Sequence, residues 1–143
     1  MIEIYTDGSC IGNPGPGGYA AVITKNGKEI DRVAGKLKDT TNNQMELLGV
    51  IAALEKTSNV KGKVIVYSDS KYIVDAINKK WIDKWKLQGW TRGKKELKNR
   101  FLWLWLDNLI DKFNIQFKYV KGHSGNKWNE LADDIATTYS ASI

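Results

Sequence analysis

Ile2-Glu3-Ile4-Tyr5-Thr6-Asp7-Gly8-Ser9-Cys10, continuing into Gly12-Asn13-Pro14-Gly15-Pro16-Gly17-Gly18, is where the architecture first becomes readable. Ile2, Ile4 and Thr6 alternate with Glu3, Tyr5 and Asp7, the period of two that a pleated strand imposes. At Asp7 the alternation gives way to a Gly, Pro and Asn cluster, which is loop chemistry. A carboxylate is therefore expected at the end of a rigid strand, beside backbone free of bulky side chains. Such a place suits a metal ion held against a polyanion. It equally suits an Asp that only opens a turn.

Downstream, residues 19–24 read as a second strand and Asn26-Gly27 as a hairpin turn. Residues 29–34 return as a third strand. A polar stretch, residues 36–42, leads into a helix whose Leu47, Val50, Ile51 and Leu54 fall at i, i+3, i+4 and i+7. Thr41 with Gln44, or Asn43 with Glu46, can form a capping box at its start. Glu46 thus has a plain reading as a first-turn acid that steadies the helix end. Val64-Ile65-Val66-Tyr67 is continuously apolar, as a buried central strand should be. Asp69 follows it, either as the cap of the next helix or at the carboxyl end of a strand, where open α/β sheets place ligands. That helix carries Tyr72, Ile73, Ala76 and Ile77 on its apolar face.

A short helix over 81–86, a turn at Gln88-Gly89 and an irregular stretch over 94–99 come next. Leu102, Trp105, Leu106, Leu109, Ile110 and Phe113 then mark a strongly amphipathic helix, with Trp103 off its apolar face. Residues 114–120 read as a fifth strand and Lys121-Gly122-His123-Ser124-Gly125 as a loop. The final helix has Trp128, Leu131, Ala132, Ile135 and Ala136 on one face. The order βββαβα, basic segment, α, β, α predicts an α/β fold in one domain over residues 1–143: a five-stranded mixed sheet, three antiparallel strands and then two more, flanked by helices.

A chain of 143 residues is long enough to bury a core without covalent staples. The one cysteine, Cys10, excludes an internal disulfide and a cysteine-rich zinc site. No segment resembles a signal peptide and no apolar run approaches the roughly 20 residues needed to cross a bilayer, so a cytoplasmic protein is expected. The net charge of +6 is concentrated. Between Asn78 and Arg100 nine basic residues face only Asp83 and Glu96, which gives that segment +7 and leaves the remainder at −1. Trp81, Trp85 and Trp90 are interleaved with these cations, a combination suited to nucleic acid rather than to a bare solvated face. Residues 12–18 lack the Gly-Lys-Ser/Thr of a phosphate-binding loop.

Four carboxylates stand out by position: Asp7, Glu46, Asp69 and Asp133. If the first and fourth strands are neighbours, Asp7 and Asp69 emerge side by side with helices packed across them. Acids held that close repel one another and resist ionisation, and divalent cations relieve the repulsion. Hard oxygen ligands select Mg²⁺ or Mn²⁺ over zinc.

Five blocks occur in order: Thr6-Asp7-Gly8-Ser9-Cys10, Asn13-Pro14-Gly15-Pro16-Gly17-Gly18, Thr40-Thr41-Asn42-Asn43-Gln44-Met45-Glu46, Ser68-Asp69-Ser70 and Val120-Lys121-Gly122-His123-Ser124-Gly125. Together with the Lys- and Trp-rich segment over about 79–99, they closely resemble bacterial type 1 ribonuclease H and its basic protrusion, and the resemblance runs from Ile2 to about Thr138. It implies an endonuclease that hydrolyses the RNA strand of RNA/DNA hybrids by two-metal-ion chemistry, leaving 3′-hydroxyl and 5′-phosphate ends. It implies Asp7 as the carboxylate bridging two Mg²⁺ ions, with Mn²⁺ a possible substitute. Asp133 would help hold the ion that activates the attacking water, and Glu46 and Asp69 would complete the other site. His123 matches a residue that shuttles a proton or helps product leave.

Helical geometry does not choose between the adjacent Asp133 and Asp134. The family's spacing of ten residues from His123 selects Asp133, and Glu130 matches a nearby acid of secondary importance. A competing register would set Asn129 there, at the cost of a ligand. Cys10, Asn13, Asn42 and Asn43 match residues that reach the minor groove and the ribose 2′-hydroxyl, the group that separates RNA from DNA. Thr41 and Asn99 match a pocket for a phosphate of the DNA strand, and Tyr72, Trp81 and Trp85 a surface along the deoxyriboses. Lys71 stands where relatives often carry a neutral polar side chain. The resemblance implies a monomer acting on a hybrid duplex. Two other readings remain, a hybrid-binding module without catalysis and a DNA-directed nuclease of the same fold.

Overall fold

A computed structural model describes residues 1–92, 95–122 and 124–142, without the side chains of 92 and 95. Seven strands and five helices are found among them: β1 (Ile2–Cys10), β2 (Gly15–Lys25), β3 (Lys28–Thr40), α1 (Asn42–Lys56), β4 (Lys63–Ser68), α2 (Lys71–Asn78), α3 (Trp81–Leu87), β5 (Thr91–Arg92), β6 (Lys95–Glu96), α4 (Arg100–Ile110), β7 (Asn114–Tyr119) and α5 (Lys127–Ala141). The main sheet has the order β3-β2-β1-β4-β7. The β1–β2 and β2–β3 pairs are antiparallel, and β1–β4 and β4–β7 are parallel. This is the mixed five-stranded sheet the sequence predicts, with helices on both faces.

The glycine-rich segment is the main departure from that expectation. Only residues 11–14 are loop, for β1 continues through Cys10, β2 begins at Gly15, and the two pair as far as Cys10↔Gly17. Glycines suit this stretch because helices lie almost on the backbone. A Cβ at Gly18 would stand 2.7 Å from the Ser140 nitrogen of α5, and one at Gly17 would stand 2.8 Å from the Met45 side chain of α1. β3 is likewise longer than its apolar alternation suggests, running to Thr40 through residues expected as a polar connection. Backbone pairing to β2, and not side-chain burial, holds that half of the strand.

One face of the sheet carries the larger core. Ile4, Ile23, Val66 and Phe117 lie abreast across four strands and meet Leu47, Val50, Ile51 and Leu54 of α1. The α1 stripe is thus the one expected, and Thr41 caps the helix in a box with Gln44, which decides between the two boxes the sequence allowed. The opposite face is covered by α5 through small or polar residues, namely Asn129, Ala132, Ala136 and Ser140. Trp128, Leu131 and Ile135, expected to carry that contact, are only half-buried. The close approach at Gly18 leaves no room for large side chains beneath the helix.

In α4 the buried residues are Trp103, Leu106 and Leu109. The expectation that Trp103 lies off the apolar face and Trp105 on it is therefore wrong. The run Phe101-Leu102-Trp103-Leu104-Trp105-Leu106 is apolar all round, so periodicity could not settle which side faces in. Partners settle it. The Trp103 ring meets Tyr72 at 5.4 Å and Trp85 at 5.2 Å, both edge to face, and its indole N–H donates to the Tyr72 hydroxyl at 3.0 Å. Trp105 instead lies 46% exposed with its indole donating to Glu55. The two-residue strands β5 and β6 pair after Gly89, and β6 falls within the stretch over 94–99 expected to be irregular.

Candidate active site

The β1–β4 ladder ends at Thr6↔Ser68, so the next residues, Asp7 still within β1 and Asp69 just beyond β4, stand side by side. Just before that end Tyr5 and Tyr67 are directly paired and stack at 4.7 Å, and the Tyr67 hydroxyl donates to Glu3 at 2.8 Å. The two strands that present the aspartates are thereby clamped together on one face. Asp7 does not end its strand, as expected from sequence; it sits where the parallel pairing stops while the antiparallel pairing runs on.

Two plain readings of the acids fail on geometry. Glu46 is the fifth residue of α1, beyond the first turn, and the capping box is filled by Thr41 and Gln44. Asp69 does not cap α2, because Ser70 does so with its hydroxyl accepting from the Ile73 N–H. Oxygens of Asp7, Glu46 and Asp69 lie within 4.8 Å of one another. Asp133 of α5 reaches the Asp7 carboxyl from the other side of the sheet, while Asp134 is exposed and lines a separate groove with Arg32 and Tyr139.

This cluster resists ionisation. Burial pushes the Asp7 carboxyl up to about 8, with Asp69 and Asp133 adding to the rise; contact with Glu46 and the Gly8 N–H, which donates to Asp7 Oδ1 at 2.8 Å, opposes it. Burial first, and then the charge of Asp7, hold Glu46 well above the ordinary carboxyl range. Glu46 Oε2 is buried and accepts no hydrogen bond among the described residues. A buried oxygen without a donor, beside two more carboxylates, fits a hard divalent cation.

The other site residues fall in two groups. Around the turn between β1 and β2, the Cys10 thiol donates to the Thr40 carbonyl at 3.3 Å, and the Asn13 carboxamide accepts from the Asn42 N–H at 3.0 Å. These bonds bind that turn to the start of α1, where Thr41 serves as the cap. On the far side Asn43, Tyr72, Trp81, Trp85 and Asn99 line a cavity of about 710 Å³. Lys84 and Lys98 of the basic segment share that lining, as do Gln88 and Leu97, which sequence reasoning missed. Gln88 looked like a turn residue, and Leu97 carries no signal inside a polar run. Gly122 was also missed as a site residue: a Cβ there would stand 2.8 Å from Asp69 Oδ2, so the loop after β7 lies against that acid. His123 lies outside the described residues, as do Lys94 and the side chains of Arg92 and Lys95.

A mixed sheet of this order, with acids gathered where two parallel central strands end, is the architecture of a nuclease of the ribonuclease H-like fold. The family model for RNase H matches residues 1–141. The ribonuclease H of Francisella philomiragia is 46% identical over 140 residues, covering 97% of this chain and 90% of its own. Among solved structures, LC9-RNase H1, a type 1 RNase H with the type 2 active-site motif, superposes with a TM-score of 0.83 at 30% identity, over 99% of this chain and 72% of its own. LC11-RNase H1, solved in complex with an RNA/DNA hybrid, superposes with a TM-score of 0.77 at 26% identity, over 99% of this chain and 98% of its own. The chain belongs to the ribonuclease H family, a family of endoribonucleases.

Proposed function

We propose that this chain hydrolyses the RNA strand of an RNA/DNA hybrid, with Mg²⁺ held by Asp7, Glu46, Asp69 and Asp133. The observation that carries the proposal is the trio of carboxylates within 4.8 Å, one of them with a buried oxygen that no donor satisfies among the described residues. A module that only bound hybrid would have no use for acids gathered beside a basic cavity, where they repel phosphate. Bound there, two Mg²⁺ ions, or Mn²⁺ in their place, supply positive charge to the attacking and leaving oxygens of an in-line displacement. A water oxygen joins phosphorus, the ribose 3′-oxygen leaves and takes up a proton, and the ends are a 5′-phosphate and a 3′-hydroxyl.

The chain's own residues choose and hold the substrate. Asp7 on β1 and Asp69 just beyond β4 are presented by two strands paired to one another, so the acids are positioned before substrate arrives. Cys10, Asn13, Asn42 and Asn43 read the minor groove and the ribose 2′-hydroxyl. Thr41 and Asn99 hold a phosphate of the DNA strand, Tyr72, Trp81 and Trp85 lie along its deoxyriboses, and the lysines supply affinity without regard to sequence. His123 assists proton transfer or product release. The chain acts in the cytoplasm as a monomer, with residues 1–143 as one ribonuclease H domain. No described helix is long and apolar enough to cross a membrane.

The test is a panel of labelled RNA/DNA, RNA/RNA and DNA/DNA duplexes, with Mg²⁺ and with EDTA. Cutting confined to the RNA of the hybrid, and abolished by EDTA, is expected. Cutting of DNA/DNA would favour a DNA-directed nuclease, and tight hybrid binding without cutting would favour an inactive module. Asp7→Asn should bind hybrid and scarcely cut it.

A further inference from the structure

A second groove, of about 510 Å³, opens between the start of α1 and the start of α4. It shares Leu97 and Asn99 with the larger cavity, so the two form one continuous surface. Its composition differs, however. Phe101 and Leu104 provide apolar area, Gln44 and Asn99 provide carboxamides, and Arg100 and Glu96 provide one charge of each sign. Phe101 is 87% exposed on the first turn of α4, an unusual place for a phenyl ring. The Gln44 carbonyl oxygen accepts from the Thr40 hydroxyl at 2.8 Å and the Thr41 N–H at 3.2 Å, which leaves its amino group as the donor it can offer.

These groups do not suit the flank of a duplex. Phosphates would call for several cations, and Glu96 would repel them. Paired bases have stacked faces and edges engaged with their partners. An unpaired nucleotide presents what the groove can use: a face for an aromatic ring, an edge for amides and a carboxylate, and one phosphate for one guanidinium. We propose that this groove takes an unpaired nucleotide of the DNA strand where that strand runs past the end of the hybrid, its base stacked on Phe101. Continuity through Asn99 with the surface assigned to the DNA strand selects that strand over the RNA, and in this the inference rests on the hybrid reading above.

The test compares blunt hybrid with hybrids bearing a three-thymidine tail on the 5′ or 3′ end of the DNA strand, or on the RNA strand. Affinity is read by fluorescence anisotropy in an Asp7→Asn background so that the hybrid stays whole. One DNA-tailed form should bind about fivefold more tightly than blunt hybrid. Phe101→Ala should remove that gain and leave blunt hybrid unaffected, and Phe101→Tyr should keep it. The ring is exposed, so neither change threatens the fold. No gain from either DNA tail, a gain that survives Phe101→Ala, or an equal loss on blunt hybrid would overturn the proposal. Failure of the unmodified protein to cut blunt hybrid in Mg²⁺ would instead remove the hybrid reading itself, and this inference with it.

Discussion

Gly8 lies so close to the peptide joining Met45 and Glu46 that a Cβ added to it would stand 2.5 Å from the Met45 carbonyl carbon. That approach brings Glu46 of α1 to Asp7 of β1, and backbone atoms cannot swing aside as a flexible side chain can. Gly8→Ala should therefore push α1 off the strand. We expect a loss of about 1–3 kcal/mol in urea unfolding and weaker Mn²⁺ binding by calorimetry. Unchanged metal binding would show that the acid cluster does not depend on this contact.

The raised carboxyls set a pH dependence whose sign is opposite to that of salt-bridged acids. Unfolded, Asp7 and Glu46 ionise near pH 4; folded, Asp7 ionises near 8 and Glu46 well above its ordinary range. Between those values the folded state binds more protons, so the metal-free protein loses stability as pH rises from about 5 to about 8. A divalent cation binds the ionised form and should reverse the loss. Thermal unfolding at both ends of that range, in EDTA and in Mg²⁺, reads the difference. Asp7→Asn should flatten the EDTA profile and raise stability at pH 8.

Much of this site was legible because acids, glycines and asparagines recur at the ends of apolar runs, where topology concentrates chemistry. Val64-Ile65-Val66-Tyr67 announced a buried strand, and those residues form the middle of β4. The errors share a cause, which is that periodicity reports composition and not partners. Glycines at 17 and 18 looked like a loop because their sequence neighbours do not reveal helices packed on them. Trp103 and Trp105 could not be ranked within the unbroken apolar run Phe101-Leu102-Trp103-Leu104-Trp105-Leu106. Helical pattern alone could not choose between Asp133 and Asp134, and only the family's spacing from His123 selected Asp133; the small residues that seat α5, Ala132 and Ala136, gave only a faint stripe.

Lys84 and Lys98 line the larger cavity with Trp81 and Trp85. If each neutralises a phosphate, replacing either by Ala should lower the slope of log affinity against log salt by about 0.7–0.9. Lys28, the first residue of the edge strand β3, should leave the slope unchanged when replaced. Titrations of labelled hybrid at four salt concentrations would check this. Equal slopes for all three variants would remove these lysines from the interface.

Trp103 touches no solvent, yet its position behind the cavity ties it to substrate binding. It packs on Tyr72 and Trp85, both of which line the cavity, and holds the Tyr72 hydroxyl by its indole N–H. Trp103→Phe keeps an aromatic ring but removes that donor and leaves space that Tyr72 and Trp85 will relax into. A destabilisation of about 1–3 kcal/mol is expected, from the lost hydrogen bond and incomplete packing. KM for hybrid should rise several-fold while kcat holds, because Asp7, Glu46 and Asp69 are carried on β1, on α1 and just beyond β4, none of which contains Trp103. Tyr72→Phe, which deletes only the acceptor of the same bond, should reproduce a smaller part of the KM change. A fall in kcat at constant KM would instead mean that the aromatic cluster supports the acids and not the grip on the DNA strand.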